Sequence, residues 1–112
     1  MKPLTKRERP KELQSKTTRQ KTGCGNLYVT VCYDEQGRPF EVFATLGRAG
    51  GCAASQNEAL TRAITLGLRC GVAPEEYVKE LVGIRCPSPI MFPEEERILS
   101  CADAIAKVLS EA

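Results

Sequence analysis

The chain has no histidine and no tryptophan, and only 5% of its 112 residues are aromatic. Without histidine it lacks the commonest general base and proton shuttle at neutral pH, so hydrolytic chemistry is not expected and no catalytic residue is assigned. With so few aromatics, the core has to be built from Ala, Val, Leu and Ile, and it will be small. No apolar run approaches the roughly 18 residues needed for a membrane span, and no hydrophobic stretch follows the basic amino terminus as it would in a signal peptide. A soluble, cytoplasmic protein without membrane partners is expected. There is also no C-x-x-C pair, and the glycines of Gly23-Cys24-Gly25 and Gly47 to Gly51 do not fit the spacing of phosphate-cradling loops. They read as turns.

Charge is unevenly spread. Residues 1–22 hold eight Lys/Arg against Glu8 and Glu12, a net of +6, so the remainder carries −4 of the overall +2. With two prolines and almost no apolar periodicity, residues 1–21 read as a basic tail, flexible or ordered by a partner, ahead of a single domain over 22–112. Within the tail Lys6, Arg7, Arg9 and Lys11 are candidates for phosphate contacts with nucleic acid. No aromatic platform or recognition motif accompanies them, so a solvated tail is the favoured reading.

The rest of the chain alternates clear signals with turns. Leu27 to Tyr33 is β-branched and aromatic, Asp34 to Arg38 contains Gly37 at a natural turn position, and Phe40 to Leu46 resumes the strand pattern. These runs predict a β-hairpin with Phe40, Val42, Ala44 and Leu46 on one face. Leu60, Ala63, Ile64, Gly67 and Leu68 predict an amphipathic helix that stops at Gly71, with a start either at a Ser55/Glu58 capping box or earlier, at Ala53. Pro74 opens a second helix whose buried stripe is Val78, Leu81 and Val82. Residues 84–98 form a proline-rich loop carrying Glu94-Glu95-Glu96. Ser100 and Asp103 then cap a third helix with Ala102, Ile105, Ala106 and Leu109 inward. A lone hairpin is marginal in water, so about three helices must cover its apolar face: the expected class is α+β.

Six cysteines remain to be explained. Cys32 lies inside a strand and Cys70 at a helix end, where cysteine acts as a small apolar residue. Cys24, Cys52, Cys86 and Cys101 all sit in turns or at helix starts, where backbone N–H groups and the helix dipole favour a thiolate. Four thiolates brought together would suit tetrahedral zinc, which would add folding free energy to a small core. A redox pair or disulfide, and plain reduced thiols, stay open beside it.

Several phrases together resemble one family. They are Thr22-Gly23-Cys24-Gly25-Asn26-Leu27-Tyr28-Val29-Thr30-Val31, Gly37 to Gly47, Gly50-Gly51-Cys52-Ala53-Ala54-Ser55-Gln56, Gly83-Ile84-Arg85-Cys86-Pro87 and Ser100-Cys101-Ala102-Asp103-Ala104-Ile105-Ala106. In order and spacing they look like the TSCPD domain, the four-cysteine C-terminal module of adenosylcobalamin (vitamin B12)-dependent ribonucleotide reductases, here as a free-standing protein. Arg7-Glu8-Arg9-Pro10 looks like the linker entering that module. The naming motif reads Leu99-Ser100-Cys101-Ala102-Asp103, with Leu for Thr and Ala for Pro, and Ala suits a first helical turn as Pro does.

The resemblance maps the module's characteristic cysteines onto Cys24, Cys52, Cys86 and Cys101. It implies an accessory, regulatory or structural role beside a ribonucleotide reductase catalytic subunit in deoxyribonucleotide synthesis. The chain has neither the length nor the motifs of the catalytic barrel, so it is not expected to turn over alone, and adenosylcobalamin enters only through the partner. Two alternatives stand behind this. One is a thiol-disulfide component that re-reduces the reductase through Cys86 and Cys101 or Cys24 and Cys52. The other is a nucleic-acid-binding protein acting through the tail.

Overall fold

A computed structural model describes residues 4–47 and 51–112. The phrase Gly47 to Gly51 therefore lies partly outside the described residues. The elements are strands β1 (Gln14–Thr22), β2 (Gly25–Tyr33) and β3 (Pro39–Leu46), helices α1 (Gly51–Arg69) and α2 (Pro74–Leu81), a 3-10 turn at Glu94–Glu96, and helix α3 (Cys101–Ser110). The strands form one antiparallel sheet in the order β1-β2-β3, so the architecture is α+β as the patterning requires.

The hairpin forms as its sequence predicts. Leu27 pairs with Leu46, Val29 with Ala44 and Val31 with Val42, which places their side chains on one face by the two-residue period of a strand. This face meets Ile64 and Leu68 of α1 and Ala104, Ile105, Val108 and Leu109 of α3 in a single core. Such a core, made of aliphatic side chains of moderate size, is what a chain without tryptophan has available. The long helix α1 starts at the early alternative. Its buried positions are Asn57, Thr61, Ile64 and Leu68, and Ser55 does not cap it but donates its hydroxyl to the Cys52 carbonyl. Helix α1 runs back along β3, since Arg69 at its end lies over the Phe40 ring while Thr65 bonds to Val42. Gly67 marks the closest approach of α1 to α2. A methyl group there would fall 1.7 Å from the Tyr77 hydroxyl.

The amino end differs from its sequence reading. Residues 14–22 form β1, in register with β2 from Gln14↔Tyr33 to Thr22↔Gly25. Its residues are mostly exposed, so β1 is held by the backbone ladder and by cross-strand pairs such as the Thr17–Thr30 hydroxyl bond of 2.7 Å. Hydrophobic periodicity carries no trace of such a strand. Ahead of it, Arg7 and Arg9 fasten the chain to the body. The Arg7 N–H donates to the Arg69 carbonyl and the Arg69 guanidinium to the Arg7 carbonyl. Both guanidinium groups lie over the Phe40 ring, at 4.7 and 5.3 Å, a cation–π stack. Arg7 also donates to the Asp34 carboxylate at 3.1 Å and Arg9 to Glu41 at 2.9 Å.

No described helix is long and apolar enough to cross a membrane.

Asp34 organises the β2–β3 turn. Its carboxylate accepts the N–H groups of Gln36 and Arg38 as well as the Arg7 guanidinium. The Arg38 amide, then Arg7 and the Gln36 amide, outweigh burial and hold this carboxyl below its ordinary value. A depressed folded-state pKa stabilises the fold above the unfolded value, about pH 4, and this contribution disappears as the pH falls through the folded value. Asp34→Asn is therefore expected to cost about 1–2 kcal/mol at pH 7, with the gap to wild type closing below about pH 4. Urea unfolding midpoints of both proteins measured from pH 7 to pH 3 check this.

A cysteine-lined end of the sheet

Three of the four singled-out cysteines meet at one end of the molecule. Cys24 occupies the tight turn between β1 and β2, where the Thr22 hydroxyl accepts the Cys24 N–H and donates to the Gly25 carbonyl. Gly25 takes φ 118° there, a conformation that side chains disfavour. Gly23 packs directly against the loop that carries Cys86, because a Cβ at this position would lie 1.6 Å from the Ser88 carbonyl oxygen. Cys24 is thus flanked by glycines for two reasons, the close approach at Gly23 and the positive φ at Gly25.

The loop after α2 doubles back on itself. Ile90 and Ile98 exchange both backbone hydrogen bonds, and the Cys86 N–H donates to the Leu99 carbonyl at 2.9 Å, so Cys86 lies beside the start of α3, where Cys101 is the first helical residue. The Ser88 N–H points at the Cys86 sulfur, 3.4 Å away.

Asp103 fixes this arrangement. Its side chain is 1% exposed. One carboxylate oxygen accepts the Gly83 N–H at 3.0 Å, and the other accepts the Leu99 N–H at 2.9 Å and the Lys107 ammonium at 3.0 Å. Lys107 also donates to the Arg97 carbonyl. The Ser100 hydroxyl caps α3 by accepting the Asp103 N–H, as the S-x-x-D spacing predicts. Burial alone would raise the Asp103 carboxyl, but the two amides and Lys107 hold it below its ordinary value. One carboxylate thus ties both ends of the Cys86 loop to the helix of Cys101.

The electrostatics of the cluster follow from this proximity. Burial pushes the Cys24 thiol up, and Cys101 and Cys86 beside it raise it further, because one thiolate resists forming next to another. Cys52, the second residue of α1, belongs to the same end by topology. Gly47, just past β3, bonds back to Asn26 beside the β1–β2 turn, and α1 begins four residues later. Its thiol is exposed. Cys32 is buried and Cys70 half-buried, and burial with the neighbouring Glu41 pushes Cys32 up, while Arg9 acts against them. Cys32 fits the packing role expected of it, whereas Cys70 is only half-buried, as Cys86 and Cys101 are.

Among the described residues no group of three or more histidine, cysteine, aspartate or glutamate side chains is closed around a point that could hold a metal ion. The donor chemistry nevertheless suits a soft, tetrahedral cation: all four candidates are thiols, Cys86 and Cys101 are neighbours of Cys24, and the Cys86 sulfur accepts an amide N–H.

Of the candidate nucleic-acid contacts, Arg7 and Arg9 are engaged with Asp34 and Glu41, whose side chains are 3% and 6% exposed, while Lys6 and Lys11 make no ion pair among the described residues. The buried Asp34, Glu41 and Asp103 are the functional-looking groups that sequence reasoning passed over or treated only as a cap. The one available signal was Arg7 and Arg9 at alternate positions, matched by acids at the turn and in β3.

A small α+β domain with cysteines gathered at one end of a three-stranded sheet is the class defined by this fold. The family model of the TSCPD domain matches residues 2–112, and the chain belongs to the TSCPD family, a domain associated with vitamin B12-dependent ribonucleotide reductases. The match takes in the amino-terminal segment that composition alone had set apart. No curated protein and no solved structure matches the chain.

The Gly23–Ser88 contact gives a direct test. Gly23→Ala forces the Cys24 turn away from the Cys86 loop against backbone, an overpacking cost of about 1–3 kcal/mol. A lowered unfolding midpoint is expected, together with loss of the Cys24–Cys101 coupling, visible as faster alkylation of Cys24 by iodoacetamide, located by mass spectrometry.

Proposed function

We propose that the protein is an accessory module of adenosylcobalamin-dependent ribonucleotide reduction, stabilised by zinc on Cys24, Cys52, Cys86 and Cys101, which docks on the catalytic subunit in the cytoplasm. The observation that carries this reading is the gathering of Cys24, Cys86 and Cys101 at one end of the sheet in a chain of this family. The bound metal would supply charge neutralisation that lets the four sulfurs lie together as thiolates, and it would contribute folding free energy to a core made of small aliphatic residues. The chain's own residues do the rest. Asp103 and Ser100 set the loop and helix that present Cys86 and Cys101, and Gly23 and Gly25 let the Cys24 turn approach them.

The thiol-disulfide reading calls for a thiol of lowered pKa, and the raised Cys24 thiol speaks against it. Internal pairing of Arg7 and Arg9 weakens the nucleic-acid reading in the same way.

Elemental analysis of protein purified under reducing conditions is expected to find about one zinc per chain, and Cys101→Ser to lose it together with the fold. Full-length protein should also be retained by an immobilised B12-dependent reductase catalytic subunit. A metal-free, folded protein whose thiols oxidise reversibly in pairs, and which the reductase does not retain, contradicts the proposal.

A further inference from the structure

Strand β3 is an edge of the sheet, and its outward backbone groups are treated unequally along its length. Gly47 donates to Asn26 of β2's side, so by the alternation of an antiparallel ladder residues 43, 45 and 47 face β2 while 42, 44 and 46 face outward. The outward groups of Val42 are both satisfied by α1: its N–H donates to the Thr65 hydroxyl at 3.0 Å and its carbonyl accepts from the same hydroxyl at 3.2 Å. At the start of β3, the Arg7 and Arg69 guanidinium groups cover Phe40. Beyond Val42 the protection ends. Among the described residues, nothing pairs with the outward N–H and C=O groups of Ala44 and Leu46.

These open groups look into a groove of about 680 Å³ between β3 and α1. Its helix wall is the Ala54, Glu58, Arg62 and Leu66 face, and Lys6 stands at its rim. Leu66 is 53% exposed and Phe43 of β3 50% exposed, which leaves apolar surface on both walls. Against the single carboxylate of Glu58 the lining sets Lys6, Arg62 and Arg69. The Arg62–Glu58 pair spans 3.9 Å between side chains that are 79% and 69% exposed, too loose to neutralise either group firmly.

Native edge strands are usually covered, charged or shortened, because unpaired backbone groups recruit another strand. An edge guarded at Val42 and open at the next two outward positions, facing an apolar groove beside a helix, has the form of a β-augmentation site. From this geometry we infer that the groove between β3 and α1 binds an extended, acidic segment of a partner protein as a fourth strand. The added strand pairs its backbone with Ala44 and Leu46. Its alternate side chains place apolar groups against Leu66 and carboxylates toward Lys6 and Arg62. At one end, near Gly47 and Ala54, the groove adjoins Cys52, but its lining includes no cysteine, so the assignment stands whether or not the cysteines hold a metal.

The probe is a fluorescein-labelled seven-residue peptide alternating valine and glutamate, with a valine–lysine counterpart as control, titrated by anisotropy against the full chain. The glutamate peptide is expected to bind at least about tenfold more tightly than the lysine peptide, with the difference shrinking in added salt. Ala44→Pro removes an N–H that takes no part in pairing with β2 and is expected to weaken binding at least about tenfold. Arg62→Glu, on the exposed helix face, is expected to abolish the preference for glutamate without touching the fold, and keeps the test decisive should Ala44→Pro fail to fold. No binding, equal binding of both peptides, or binding unchanged in folded variants would overturn the assignment. So would a wild-type dimer in sedimentation that Ala44→Pro dissociates, which would make a second copy the occupant of the edge.

Discussion

The buried carboxylate of Asp103 is the constraint on which the cysteine end depends. A charge that is 1% exposed is tolerable only if its oxygens are fully partnered, and here the partners come from three separate places in the chain: the turn after α2, the residue before the α3 cap, and the next turn of α3 itself. Removing it would leave the Gly83 and Leu99 amides without their acceptor, and the long loop would be closed only by the Cys86–Leu99 and Ile90–Ile98 backbone bonds. The position of Cys86 beside Cys101 is therefore set by an oxygen acid together with the Cys86–Leu99 backbone bond, and the sulfurs are carried to one another by a scaffold that does not itself contain sulfur.

The same device recurs at the opposite end of the sheet. Asp34 and Glu41 are buried acids, each met by an arginine from the amino-terminal segment, and Asp34 also holds its own turn. Paired burial of this kind contributes less net stability than an equal volume of aliphatic side chain, because desolvation opposes the Coulombic gain. What it does provide is a defined path for residues 7–9, which have no apolar side chain to anchor them. The arrangement makes a basic segment part of the fold and leaves Lys6, with Arg62 and Arg69 of α1, lining the β3 groove.

How much of this was legible in the sequence depends on what kind of force holds each part. The hairpin over 27–46 and helices α2 and α3 were readable because aliphatic periodicity, Gly37, Pro74 and the Ser100/Asp103 spacing each act locally, although Val82, expected in the buried stripe of α2, lies past the helix end and is 49% exposed. Strand β1 was not, since Gln14–Thr22 has almost no buried side chain and is held by backbone bonds to β2, which no side-chain pattern records. The start of α1 was ambiguous for a related reason: its inward stripe includes the polar Asn57 and Thr61, which hydropathy counts as outward. Position in turns and at helix starts singled out Cys24, Cys52, Cys86 and Cys101 and anticipated the burial of Cys32, but burial does not set Cys70 apart, since Cys70, Cys86 and Cys101 are all half-buried. The proximity of Cys24 to Cys86 and Cys101 could not be read, because it depends on the Gly23–Ser88 contact and on the long-range bonds of Asp103.

The claim that these four thiols form one centre is most directly tested by zinc K-edge X-ray absorption on protein reconstituted with one equivalent of zinc under reducing conditions. The account predicts a single shell of four sulfur scatterers at about 2.3 Å. A first shell containing oxygen or nitrogen scatterers in place of one or more of the sulfurs would contradict it.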